Sequence, residues 1–270
     1  MPPVILVTND DGIDSHFLRV LVEALRTAGL APVVAAPAGE QSWISRALSR
    51  RRQVEVTAHP EFGGPAWTID GTPTDCVNIA LGHLLAERPA AVVSGINLGE
   101  NASLPYLLAS GTVAGALEGA LWGLPALAFS MQLPAARLEE IRHARGRVQG
   151  KFAESLLCAA GRAAEFVRQR LKQPHPDTGP TVHNINFPSI TTAVTPVVDT
   201  RPGHLRLGRL FQRESPSHFS FRYTDAHEKE DADDADHTVL LRGCISHSVI
   251  DYGTLGARGA RVTAPAKPRP

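Results

Sequence analysis

The chain has 270 residues, enough to bury a sizeable core without disulfide staples, either as one large α/β domain or as a core with a smaller appendage. Its 27 Lys and Arg balance 27 Asp and Glu, so no whole-chain field draws it to nucleic acid or anionic lipid. With 43% hydrophobic and 20% charged residues, wholesale disorder is excluded. Cys76, Cys158 and Cys244 stand far apart, with no Cys-x-x-Cys pair and no zinc spacing, and are expected to be reduced and buried. The N-terminal stretch lacks a basic region and has too short an apolar run for a signal peptide, and no segment reaches the roughly 18 apolar residues of a membrane span. A cytoplasmic location is expected, with neither nucleic acid nor membrane as partner.

Val4 to Val7 is a continuous apolar run suited to a strand buried on both faces of a parallel sheet, and it stops abruptly at Asn9-Asp10-Asp11-Gly12. Phe17, Leu18, Leu21, Val22 and Leu25 recur at helical spacing, with Gly29 as the stop. Pro32 to Ala36 reads as a second strand, followed by a loop from Pro37 to Ser45. Arg50 to Thr57 alternates like an edge or hairpin strand, with Ala66 to Ile69 as its partner. Cys76 to Leu85 reads as a helix capped by Thr72 or Thr74, and Ala90 to Ser94 as a buried strand. Val113 to Trp122 is a small-residue helix and Ala126 to Ser130 a strand. Phe152, Leu156, Ala159, Ala163, Phe166 and Val167 mark a long amphipathic helix.

Pro174 to Pro180 reads as a linker and Val182 to Phe187 as one more strand. Beyond Val198 charged and turn residues dominate, Glu228 to Asp236 is an acidic run, and only Thr238 to Leu241 and Cys244 to Val249 resemble strands. This order predicts an α/β fold: a three-layer, doubly wound, mostly parallel sheet of Rossmann-like type with a β-rich C-terminal appendage. The expected division is a catalytic core over 1–198 and a hairpin or oligomerisation segment with a disordered tail over 199–270.

In open α/β sheets ligands sit outside the carboxyl ends of the strands. Asp10 and Asp11 follow the first strand, Ser42 lies in the loop after the second, and Asn97 follows the strand Ala90 to Ser94. Two adjacent carboxylates repel each other when desolvated, and a bound cation keeps both ionised. Oxygen donors from Asp, Ser and Asn match Mg²⁺ or Mn²⁺ rather than zinc, so the expected cofactor is one divalent cation per subunit. Taken singly, each residue is equally a helix cap or turn former; their convergence at one sheet edge favours the metal reading. Ser110-Gly111-Thr112, ahead of a helix, offers N–H groups and two hydroxyls to an anion, and Asn101 offers an amide. Each of these is also a plain cap or turn residue when taken alone. Together these groups describe metal-assisted hydrolysis of a phosphomonoester, with Asp10 orienting or deprotonating the water. No Gly-x-Gly-x-x-Gly follows the first strand, and neither a phosphate-binding Gly-x4-Gly-Lys-Ser/Thr nor a Gly-x-Ser-x-Gly elbow is present.

Several segments resemble the SurE family of 5'/3'-nucleotidases: Val7-Thr8-Asn9-Asp10-Asp11-Gly12-Ile13, Gln41-Ser42, Gly71-Thr72-Pro73-Thr74-Asp75, Val93-Ser94-Gly95-Ile96-Asn97, Ser110-Gly111-Thr112-Val113 and Asn184-Ile185-Asn186-Phe187-Pro188. The resemblance implies a divalent-metal-dependent phosphatase acting on nucleoside monophosphates and, in some members, short polyphosphate. It places the metal ligands on Asp10, Asp11, Ser42 and Asn97, the phosphate-binding turn on Ser110, Gly111 and Thr112, and a homodimer or homotetramer as the assembly. Two stretches depart from the family pattern. Ala102 to Ala109 lacks the usual second Gly and the acid, and Trp43 stands where a Gly is common. The alternatives are a non-catalytic nucleotide or phosphate binder, and a phosphatase for another small phosphomonoester or for polyphosphate.

Overall fold

The computed structural model describes residues 1–173, 179–222, 228–229 and 232–254. Most of the linker expected over Pro174 to Pro180 (174–178), part of the acidic run (230–231) and the tail from 255 onward lie outside the described residues.

In chain order the elements are β1 (Val4–Thr8), α1 (His16–Thr27), β2 (Ala31–Pro37), β3 (Val56–Ala58), β4 (Ala66–Ile69), α2 (Pro73–Ile79), β5 (Ala91–Leu98), α3 (Leu104–Ala109) and α4 (Gly111–Leu121). They continue with β6 (Ala126–Met131), α5 (Leu138–His143), α6 (Lys151–Lys172), β7 (Thr181–Phe187), β8 (Val197–Thr200), β9 (Leu205–Arg206), β10 (Phe211–Ser215), β11 (His218–Phe221), β12 (Glu228–Lys229), α7 (Asp236–Leu241) and β13 (Ile245–Asp251). Nine strands form one sheet in the order β3-β4-β2-β1-β5-β6-β7-β13-β8. The run from β4 to β7 is parallel throughout, while β3 and β13 pair antiparallel with β4 and β7.

Alternation along the buried strands builds the layers. Ile5 and Val7 face one cluster with Phe17, Leu21 and Leu156 of α1 and α6, whereas Leu6 faces the other with Cys76 and Val77 of α2. A third cluster packs Val113 and Ala116 of α4 on Ala126 and Ala128 of β6. The expected three-layer, doubly wound sheet is therefore present. The chain leaves β1 toward β2 and β4, then returns to pair β5 on the other side of β1. That reversal opens a crevice at the carboxyl ends of β1 and β5, the place such sheets offer a ligand.

Local chemistry explains the caps. Thr72 caps α2: its hydroxyl accepts from the Asp75 N–H at 3.1 Å, and the Asp75 carboxylate accepts from the Thr72 N–H at 2.8 Å. Among the cysteines, Cys76 is buried and Cys158 and Cys244 are half-buried, all three as free thiols.

Four expectations are corrected. The strand read over Arg50 to Thr57 shrinks to Val56–Ala58, because Arg50, Arg51 and Arg52 project into solvent and have no strand beside them. Thr238 to Leu241 is the end of helix α7, not a strand; a four-residue segment is too short to separate the two periods. The strand read as Ala90 to Ser94 runs on to Leu98 across a break in its register with β6 and a cis Gly95–Ile96 peptide, so Asn97 lies within β5 rather than after it. Residues 245–251, assigned to the appendage from sequence, run inside the main sheet between β7 and β8.

Asp236 ties that C-terminal segment to the loop that follows β5. One carboxylate oxygen accepts from the Gly203 N–H at 2.9 Å and the His237 N–H at 2.8 Å, and the other from the Ser103 N–H at 2.8 Å. Burial raises its carboxyl above the usual range, while the same three donors pull it down. Asp236→Ala leaves three buried N–H groups without an acceptor and is expected to cost about 3 kcal/mol, read as a lower urea midpoint with an unchanged m-value.

Candidate active site

The end of β1 is locked before any side chain reaches out. Asn9 donates from Nδ2 to the Gly12 carbonyl at 2.9 Å, closing the turn, and the Asp10 carbonyl accepts from the Gln41 N–H at 2.7 Å. Gly12 has φ +91°, and a Cβ there would sit 3.1 Å from Gly39 Cα, so only glycine lets the loops after β1 and β2 close together. Asp10 and Asp11 are thereby presented at the crevice, beside the loop that carries Ser42.

Each donor has a defined setting. Asp10 Oδ1 accepts from the Thr112 hydroxyl at 2.5 Å and Oδ2 from the Thr112 N–H at 3.0 Å. Asp11 Oδ2 accepts from the Leu98 N–H at 3.0 Å, which ties β1 to the end of β5. Asn97 donates from Nδ2 to the Gly99 carbonyl at 2.7 Å, and this fixes its amide so that Oδ1 is the group left for a ligand. The exposed Ser42 hydroxyl donates to Glu40 Oε1 at 2.7 Å.

Burial pushes the Asp10 carboxyl up to about 6, against the pull of the two Thr112 bonds, with the Glu40 charge adding to the rise. Asp11 is raised well above the carboxylate range by burial and then by the Asp10 charge. Among the described residues neither carboxylate forms an ion pair with a Lys or Arg. Two desolvated acids with Arg142 near Asp11 but not ion-paired to it, beside hydroxyl and amide oxygens, are a donor set that fits a hard divalent ion.

Ser110 caps α4, its hydroxyl accepting from the Val113 N–H at 3.0 Å. Thr112 spends both its donors on Asp10, so the Gly111 N–H remains at the helix start without a protein acceptor among the described residues. A Cβ on Gly111 would come within 2.8 Å of Asp10 Cβ and 2.9 Å of the Gln41 carbonyl. Asn101 lines the same space, but its backbone and amide are engaged: its N–H donates to Asn186 Oδ1 at 2.7 Å, its Nδ2 to Ser130 Oγ at 2.8 Å, and its carbonyl accepts from Asn184 Nδ2 at 3.0 Å.

A cleft of about 340 Å³ collects Asp10, Ser42, Asn97, Asn101 and Ser110, and a second of about 320 Å³, lined by Asp11 and Glu40, adjoins it through Ser42, Leu98 and Arg142. Thus five of the predicted positions line the first cleft and Asp11 lines the one adjoining it, with Gly111 and Thr112 packed or bonded directly on Asp10. Sequence reasoning missed Glu40, Arg142 and the aromatic rim of Trp43, Tyr106 and Phe221. Glu40 was readable as an acid two residues before Ser42; Arg142 sits on the short helix α5, whose single turn and a half gives no clear period.

The family model described as Survival protein SurE matches residues 5–209. The chain belongs to the SurE family. It is 35% identical over 246 residues to the 5'-nucleotidase SurE of Methanocella arvoryzae, covering 90% of this chain and 89% of that one. It is 33% identical over 271 residues to the 5'-nucleotidase SurE of Gloeobacter violaceus, covering 94% and 95%. Among solved structures, the SurE protein from Aquifex aeolicus superposes with a TM-score of 0.73 at 26% identity, over 94% of this chain and 98% of that one. The SurE likeness thus spans both the core and the segment from 199 onward. No helix among the described residues is long and apolar enough to cross a membrane.

Proposed function

We propose that the chain is a divalent-metal-dependent phosphomonoester hydrolase that releases phosphate from nucleoside monophosphates. The observation that carries the reading is the pair of adjacent acids at the topological switch point, Asp10 buried and Asp11 half-buried, opposite the Gly111 N–H at the start of α4. Relatives named 5'-nucleotidase SurE support the substrate class.

Asp10, Asp11, Ser42 and Asn97 would hold one Mg²⁺ or Mn²⁺, which when bound supplies charge to the phosphoryl oxygen and acidifies a water. The protein does the rest. Thr112, donating twice to Asp10, keeps that carboxylate turned toward the cleft, where it orients the attacking water or takes its proton. Leu98 holds Asp11 the same way through its N–H. The Gly111 N–H and the positive end of α4 receive the phosphoryl oxygens, with Ser110 and Asn101 at the rim of the same cleft. Arg142, on the far wall, adds a positive charge where the phosphate's negative charge must be neutralised. The reaction takes place in the cytoplasm, in a homodimer or homotetramer.

The test is phosphate release from a panel of nucleoside monophosphates after chelation and then with added Mn²⁺ or Mg²⁺. Release that EDTA abolishes and Mn²⁺ restores is the expected result. Retained nucleotide binding with no release under any cation would instead identify a non-catalytic binder.

A further inference from the structure

Ser42 stands exposed in the loop between β2 and β3. The bond its hydroxyl makes is to the equally exposed Glu40 carboxylate, so its own contacts do not fix it against Asp10 and Asp11. The place of its oxygen is set by where the chain is pinned on either side. Upstream, the Gln41 N–H donates to the Asp10 carbonyl at 2.7 Å. Downstream, Ser45, at φ +54°, bends the loop onto the end of α3: its N–H donates to the Ala109 carbonyl and its hydroxyl to the Leu108 carbonyl, each at 2.9 Å. The Ala47 carbonyl then accepts from the Thr72 hydroxyl at 2.7 Å.

Arg46 adds a pin of another kind. Its Nε and Nη2 donate to Glu118 Oε2 at 3.1 and 2.6 Å. Glu118 is a buried acid on α4, and its Oε1 accepts from Asn78 Nδ2 at 2.8 Å and from Trp122 Nε1 at 3.1 Å. A buried carboxylate is costly unless a cation balances it, and among the described residues Arg46 is the cation that pairs with it. The exposed hydroxyl bond of Ser45 exchanges for water at little cost. Lifting Arg46 away leaves Glu118 charged, buried and unbalanced, so the loop and the acid hold each other. Packing alone does not call for this, since an apolar residue at position 118 would fill the space with no charge to neutralise. Glu118 lies about two turns beyond Gly111 on nearly the same face of α4. The pair therefore ties the Ser42 loop to the helix whose first turn positions Asp10 through Thr112.

We infer that the Arg46–Glu118 ion pair is a positioning clasp that sets the Ser42 oxygen beside Asp10 and Asp11 for the dication. Neither Arg46 nor Glu118 lines the two clefts, so both act through the loop and not by touching metal or substrate. The inference rests on the reading of Asp10, Asp11, Ser42 and Asn97 as the cation's ligands, and adds the residues that place one of them from outside the site.

The experiment measures Mn²⁺ affinity of the chelated full-length protein by titration calorimetry and by the EPR signal of free Mn²⁺, neither of which needs turnover. Glu118→Gln keeps an acceptor for Asn78 and Trp122 and turns an amide N–H toward Arg46, so it opens the clasp without leaving a buried charge. Its Mn²⁺ dissociation constant is expected to rise about ten-fold, the size of effect that supports behind metal ligands have. Arg46→Met, at a side chain that is 38% exposed, is expected to give the same rise and carries the test if Glu118→Gln fails to fold. Arg46→Lys keeps the charge and is expected to recover part of the affinity. In a Ser42→Ala background, Glu118→Gln is expected to weaken Mn²⁺ binding no further, because the clasp acts through Ser42. The same ten-fold loss with and without the Ser42 hydroxyl, or unchanged affinity in both Glu118→Gln and Arg46→Met, overturns the inference. Clasp-dependent Mn²⁺ binding with no phosphate release from any nucleoside monophosphate leaves the clasp standing and removes the hydrolase reading. Mn²⁺-dependent release with wild-type Mn²⁺ affinity in both variants does the reverse.

Discussion

Asp10→Asn is expected to lower kcat/KM for nucleoside monophosphate hydrolysis by about 10³-fold or more while the protein still folds. The substitution is nearly isosteric: its oxygen still accepts from the Thr112 N–H and its amide donates to the Thr112 hydroxyl, so the contact between β1 and α4 survives. What it removes is charge. Displacing the Asp10 titration from 3.8 to about 6 means that the folded protein makes ionisation about 3 kcal/mol less favourable than water does. Asp11, raised by burial and by that same neighbour, adds to the penalty. An ion that binds there recovers this free energy, and the same attraction gives the site its affinity.

The measurement has two arms. Mn²⁺ added to the chelated wild type is expected to raise Tm through mass action, and the increase is expected to vanish in Asp10→Asn. Turnover within ten-fold of wild type, or an undiminished Mn²⁺-induced rise, would remove Asp10 from the metal site.

The sequence makes this pair of acids legible because the run from Val4 to Val7 has one interpretation. Four consecutive apolar, mostly β-branched residues that stop at Asn9-Asp10-Asp11-Gly12 are a buried parallel strand with its functional end marked. The helix that follows is equally plain, since Phe17, Leu18, Leu21, Val22 and Leu25 keep one face buried over three turns. Shorter elements carry no such signal. Helix α3 and helix α5 have six residues each, too few for a period, and both line the cleft through Tyr106 and Arg142. Sequence alone puts Asn97 beyond its strand because Gly95 looks like a strand end, whereas the chain continues in β5 past a register break. Pairings across the sheet are invisible in one dimension. His183 and His247 belong to a scatter of histidines in the sequence, yet β7 and β13 bring their rings together with 2.9 Å between Nδ1 and Nε2.

The same limit applies to the turn at 110–112. Read alone, two hydroxyls and a glycine before a helix invite a phosphate to all three residues. In the fold, Thr112 turns inward and gives both its donors to Asp10, while the Ser110 hydroxyl accepts from the Val113 N–H as the cap of its own helix and keeps its O–H to donate. Thr112 therefore serves a phosphate only through its placement of Asp10, and the free donors of the turn are the Gly111 N–H and the Ser110 O–H. Spacing shows that donors are near one another, but only packing shows which are already taken.

Gly111 is the residue on which that placement depends, and Gly111→Ala carries the second large effect. The added Cβ would lie 2.8 Å from Asp10 Cβ, 2.9 Å from Asp10 Oδ2 and 2.9 Å from the Gln41 carbonyl. None of these is the loose end of a flexible side chain, so the start of α4 must back away from β1 or Asp10 must rotate out of reach of Thr112. Alanine improves helix propensity by roughly 0.5–1 kcal/mol, but overpacking costs about 1–3 kcal/mol, so a modest net fall in Tm is expected. Activity suffers more than stability. A shift of a few tenths of an ångström to 1 Å separates the Gly111 N–H from the position the phosphoryl oxygen must occupy and tilts Asp10 off its two bonds. Misplacement on that scale lowers turnover by about 10²-fold. Steady-state kinetics of Gly111→Ala beside its thermal melt checks both halves. A variant that melts within a few degrees of wild type and still turns over at the wild-type rate would show that the contact between α4 and the β1 acids does not set the geometry of the reaction.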